Sequence, residues 1–131
     1  MTGALERLLG LARWERAGMR LGLERMRPGT GFGEFVDFIN GFGKRRGLDS
    51  LILMHGRGYG DDGPLLTPQD RNYSSISDLV IEKNNVWVWK PIALSTDGHI
   101  QLSWGGCVVV TPEGGKQLVE RTPGMVCLPP A

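Results

Sequence analysis

The sequence predicts an α+β domain in which two N-terminal helices pack on a mainly antiparallel sheet. Three observations lead there. Apolar residues recur at spacings near three and four through the first part of the chain, up to Arg46. From Leu51 onward the apolar runs are short and separated by turn pairs such as Asn84-Asn85 and Asp97-Gly98. The helical signals all precede the strand signals, a segregation expected of α+β folds rather than of alternating βα units.

The first helix is expected over residues 4–26. Leu5, Leu8, Leu9, Ala12, Met19, Leu23 and Met26 form its apolar stripe. Gly10, Gly18 and Gly22 each weaken it by roughly 1 kcal/mol, unless a neighbour packs closely against the missing side chain. Arg25 and Arg27 suit its C-terminal end, and Pro28-Gly29 stops it. Thr30 is the expected N-cap of a second helix over 31–46, with Phe32, Phe35, Val36, Ile39 and Phe42 on its apolar face. Gly47 ends that helix, and the basic cluster Lys44-Arg45-Arg46 complements its C-terminal dipole.

Strands follow. Leu51 to Met54 is a fully apolar run, suited to a buried strand. The alternation in "VWVWK" puts Val86, Val88 and Lys90 on one face and Trp87 and Trp89 on the other. Residues 100–104 and 107–111 make two further strands, with Pro112, Gly114 and Gly115 turning into a last one. The tail from Thr122 is expected to be irregular. The loop from 56 to about 78 is too long for an idle connection, and loops of that length are usually functional or disordered.

Composition narrows the function. The 131 residues fit a single domain, and 40% hydrophobic residues can supply a core. Fifteen basic residues against fourteen acidic ones leave a net charge of +1. That balance argues against a nucleic-acid binder held by phosphate contacts. No stretch approaches membrane-spanning length, so no membrane association is expected. Cys107 and Cys127 form no metal-binding or disulfide pattern. Cys107, in "CVVV", reads as a small buried hydrophobe, and a reduced cytoplasmic setting is the default.

The chemistry-bearing stretch is "HGRGYGDDG", residues 55–63. A histidine at a strand end, opening a glycine-rich polar loop, is a common setting for catalysis or metal binding. His55 is suited to acid–base work. Lys90, at another strand end, could pair with Asp61 or Asp62 or hold a substrate carboxylate. Arg57 could clamp a carboxylate. His99 lies in a turn and is expected to be exposed.

"RPGTGFGEF", then "HGRGYG", then "NNVWVWKP", then "GGCVVVTPEGGKQL" follow the order and spacing of one known fold. In them the chain resembles the C-terminal half of the catalytic domain of the pita-bread peptidases. These include creatinase, Xaa-Pro dipeptidase, aminopeptidase P and methionine aminopeptidase. The resemblance runs from about Leu9 to Val119. Active members hold two divalent metals, often manganese or cobalt, through two aspartates, one histidine and two glutamates. The aspartates lie upstream of the segment resembled. His55 matches the histidine. The first glutamate position, before a proline at the end of an apolar strand, falls on Lys90 before Pro91; the second falls on Gly105 and Gly106. Where many members carry a second, substrate-assisting histidine, seven residues after the first, this chain has Asp62.

The resemblance therefore implies a peptidase fold with a degenerate metal site. Divalent ions need several oxygen or nitrogen donors converging at about 2.0–2.2 Å, and a Glu-to-Lys exchange turns a ligand into a repelling cation. No metal cofactor is expected. Two functional alternatives stand beside an inactive peptidase relative. One is a metal-independent hydrolase or lyase of small amide or acid substrates, with His55 and Lys90 as catalytic residues and Arg57 and Asp62 binding substrate. The other is a peptide- or protein-binding module. A homodimer is a further expectation, because the family fold consists of two similar halves and a second copy could replace the missing one.

Overall fold

The computed structural model describes residues 2–56, 65–66 and 78–119. Its element order is helix α1 (Thr2–Arg25), helix α2 (Phe32–Lys44), then strands β1 (Asp49–Gly56), β2 (Leu65–Leu66), β3 (Val86–Leu94), β4 (Gln101–Ser103), β5 (Gly106–Thr111) and β6 (Gly114–Gln117). The two helices thus precede the described strands, as the pattern of periodicities predicts. The strands join in one sheet of order β2-β1-β3-β5-β6, with β4 on the same edge of β3 as β5 but further along it, and each described pairing is antiparallel. Among the described residues no helix is long and apolar enough to cross a membrane.

The α1 stripe follows its sequence reading in the second half, where Met19 and Met26 are buried and Leu23 packs on the core, and differs from it in the first half. Leu9 is 39% exposed, and the buried residues are Leu11, Trp14, Glu15, Met19 and Met26, with Gly18 and Gly22 between them. The helix is rotated relative to the leucine-rich stripe because its second half must meet the tryptophans of β3. A Cβ built on Gly22 would lie 2.5 Å from Trp89 Cζ2, so the missing side chain is what lets helix and sheet touch. Gly10 has no such neighbour. The apolar face of α2 is the one expected: Phe32, Phe35, Val36, Ile39 and Phe42 are all buried.

The connection between the helices corrects a second expectation. Gly31, not Thr30, is the N-cap of α2, and it offers no side-chain cap. The Thr30 hydroxyl donates instead to the Arg25 carbonyl at 3.0 Å, tying off the end of α1. The segment ahead of β3 clamps this connection: the amides of Gly29 and Phe32 donate to Ile81 and Leu79, and the amide of Ile81 donates to Thr30. Gly47, at φ +67°, follows the end of α2 as expected.

β3 pairs with three strands, β1, β4 and β5. Its alternation is as read: Trp87 and Trp89 lie in the core with Met54, under Phe32 and Phe35, which meet them edge-on at centroid distances of 5.1 and 5.2 Å. Pro91 stands where β3 changes partner, between Trp89 paired with Gly106 and Ile92 paired with Ser103. A proline is tolerated there because the ladder on that side is already interrupted. A second apolar cluster gathers Leu11, Trp14, Phe42 and Ala93 at the other end of the helices.

Candidate functional site

His55 and Lys90 are brought onto one face of the sheet by the register between β1 and β3. His55 pairs with Val88 and Leu53 with Lys90. Alternation then sets His55, Val88 and Lys90 on the face away from the helices, opposite Met54, Trp87 and Trp89. Diagonal neighbours of this kind stand roughly 7–8 Å apart, within reach of a lysine stem. Both side chains are half-buried. Across β5 the same row continues through Cys107, which pairs with Val88. Cys107 is half-buried rather than fully buried as its apolar run suggested, because it lies on this face and not against the helices.

Gly105 is interlocked with Lys90. A Cβ at Gly105 would meet the Lys90 stem at Cγ and, at 3.2 Å, at Cβ, and would stand 2.8 Å from the Trp89 carbonyl oxygen. The lysine stem thus fills the space a side chain at 105 would need. Trp104, Gly105, Gly106, Cys107, Gln117 and Val119 line a cavity of about 130 Å³ beside it. That is well under the ~300 Å³ at which small-molecule sites begin.

The strand end bearing Gly105 is supported from the helix layer. Glu15 of α1 is 2% exposed, and its Oε1 accepts a hydrogen bond from the Trp104 amide at 3.1 Å. Its Oε2 has no hydrogen-bond partner. Burial pushes this carboxyl up to about 8, against the opposing pull of the backbone at Trp104 and Ala93. Sequence reasoning missed Glu15, which sits between Trp14 and Arg16 with Arg13 close by and carries no local signal of burial.

Arg57, Asp61 and Asp62 lie outside the described residues. Of the candidate site, the structure therefore places His55 and Lys90 and brings them to one face. His99 is exposed, in the turn between β3 and β4. These residues do not fit a divalent metal pair. His55 is one donor, Lys90 presents a cation, and Gly105 and Gly106 offer no side-chain donor. Among the described residues no three of His, Cys, Asp and Glu converge.

Comparison with solved structures places the fold. The chain superposes on methionine aminopeptidase from Rickettsia prowazekii with a TM-score of 0.68 at 17% identity, covering 85% of this chain and 52% of that one. Against methionine aminopeptidase from Thermotoga maritima the TM-score is 0.67 at 16% identity, covering 88% and 53%. The sequence matches no protein-family model and no curated protein. Two helices on an antiparallel sheet here thus reproduce part of the pita-bread fold, and the chain spans about half the length of the aminopeptidases it matches.

Proposed function

We propose that this chain is a peptidase-fold protein with a degenerate metal site, whose own residues do not assemble a working metallopeptidase. The observation that carries the reading is the pairing of Lys90 with Gly105. A cation stands where the family pattern has one carboxylate, and its stem occupies the room that a second would need. Metal content of the purified protein, and cleavage of Xaa-Pro dipeptides and Met-initiated peptides with and without manganese, test this. The expected result is substoichiometric metal and no manganese-stimulated turnover. One or two equivalents of tightly held metal together with turnover would overturn it.

A second reading is favoured by the shared face of His55 and Lys90. It is a metal-independent hydrolase or lyase of small amide or acid substrates, with His55 as general base, Lys90 as a fixed cation, and Arg57 and Asp62 holding substrate. His55→Ala and Lys90→Ala should each abolish such activity, and unchanged rates remove this reading. With no activity in either assay, peptide-dependent thermal stabilisation identifies the non-catalytic binding module. Self-association belongs to the proposal as well: a second copy would stand where the aminopeptidases have their other half. A monodisperse monomer at micromolar concentration in light scattering rules it out.

A further inference from the structure

A second cavity lies on the other side of the sheet from His55 and Lys90, and nothing in the peptidase reading uses it. It opens between the first half of α1, the segment just after α2, and the turn following β3, and its volume is about 450 Å³. That is within the ~300–1,000 Å³ range of small-molecule sites.

Its apolar wall is Leu11, Trp14, Ala17 and Leu48. Gly10 also lines it, and a Cβ built there meets nothing within 4 Å. The helix therefore leaves open space that any larger residue would occupy. Trp14 is 3% exposed, and its indole Nε1 has no hydrogen-bond acceptor. A buried indole N–H without an acceptor is costly, and such groups usually find a partner.

Three arginines line the same space. Arg7 is neutralised by an ion pair with Asp97. Asp97 is itself engaged by the Ser95 hydroxyl at 2.6 Å and the His99 amide at 3.1 Å, which hold its carboxyl well below the usual range, so this pair is set in place. Arg46 lies with its guanidinium 3.9 Å from the centroid of Phe42 and donates to the Phe42 carbonyl, and Arg13 is exposed. Neither Arg13 nor Arg46 has a carboxylate in ion-pair contact among the described residues. The site thus combines an apolar floor with two arginines that have no carboxylate in ion-pair contact among the described residues, and the unpartnered indole N–H of Trp14 is buried beside it.

We propose that this cavity binds a small organic acid, its aromatic or short aliphatic body against Trp14 and Leu48 and its carboxylate between Arg13 and Arg46. An amide or alcohol of the same shape would fill the floor but leave the cations unmatched. An inorganic anion would match the cations but leave the floor empty. Charge-assisted bonds to a carboxylate are the stronger kind and fix its orientation.

The test uses the full chain and 3-phenylpropionate, with 3-phenylpropionamide as the uncharged control. Calorimetry should show saturable one-to-one binding of the acid and at least roughly tenfold weaker binding of the amide. The Trp14 indole N–H resonance, assigned through Trp14→Phe, should shift on titration. Arg13→Ala should weaken binding by roughly tenfold, and since that side chain is exposed the fold should be unaffected. Gly10→Leu should block binding by filling the space, with its melting temperature confirming a folded chain. Equal affinity for acid and amide, an unmoved Trp14 indole signal, undiminished binding to Gly10→Leu, or no saturation in the millimolar range would each overturn the proposal.

Discussion

The two faces of the central sheet follow opposite rules. The face under the helices is shape-determined: Trp87 and Trp89 are edge-packed against Phe32 and Phe35, and Gly22 is bare so that Trp89 can approach α1. The opposite face carries the polar row of His55, Lys90 and Cys107, half-buried and separated by Val88. The same strands serve both faces, since alternation sends successive residues to opposite sides. The lesson is that a fold can be held entirely from one face while the other changes its chemistry. The polar face at Lys90 and Gly105 takes no part in the aromatic packing beneath it.

The sharpest way to break this comparison is to truncate one residue on each face of β3. Trp89→Ala should lower stability by about 3–5 kcal/mol, the cost of a large cavity in a packed core. Lys90→Ala, one position along, should cost under about 1 kcal/mol, the usual range for a side chain away from the core. Urea unfolding monitored by circular dichroism compares the two directly. Similar losses would mean that Lys90 is structurally as important as the tryptophan beside it.

Glu15 is the exception on the helix face, a buried carboxyl among apolar neighbours. Its folded value of about 8 lies above its ordinary 4.5, so the folded state favours the protonated form. The associated stability is fully present below about 4.5 and is lost as pH rises towards about 8. The loss should be on the order of 5 kcal/mol. Glu15→Gln should flatten the melting temperature across that window, whatever its effect on absolute stability. A slope identical to that of the parent would assign the pH dependence to other groups.

Gly105→Glu tests whether the polar face can accept a carboxylate. The new Cβ, 2.8 Å from the Trp89 carbonyl, forces a backbone shift, and the expected cost is about 1–3 kcal/mol. Adding Lys90→Ala should recover only part of it, because the carbonyl remains. Full recovery in the double variant would place the whole obstruction in the lysine stem.

The last comparison sets two glycines of α1 against each other. Gly22→Ala meets Trp89 and should destabilise by about 1–3 kcal/mol. Gly10→Ala meets nothing and should stabilise by up to about 1 kcal/mol through helix propensity. Equal shifts in melting temperature would remove the close approach of α1 to β3 as the reason for Gly22.

Much of the architecture is legible in the sequence because it is written locally. The phenylalanine face of α2, the alternation in β3, and the turns at Asn84-Asn85 and Asp97-Gly98 all depend on neighbours a few residues apart. The readings that changed depend on distant partners. The α1 stripe is set by Trp89, some seventy residues away, and the two-residue strand β2 is set by its pairing with Met54 and His55. The candidate site divides the same way. His55 and Lys90 stand out from motif position, whereas the interlock of Lys90 with Gly105 requires the meeting of β3 and the start of β5.

By itself, the sequence determined the order and type of the elements and the split of β3 into an aromatic and a polar face. These follow from residue chemistry and short-range periodicity. Tertiary structure alone decided which glycine of α1 touches the sheet, that Glu15 is buried beneath Trp104, and that Trp14 shares a cavity with Arg13 and Arg46. Those outcomes rest on strand register and helix rotation. Both are selected by how whole surfaces fit together, and no stretch of neighbouring residues encodes them.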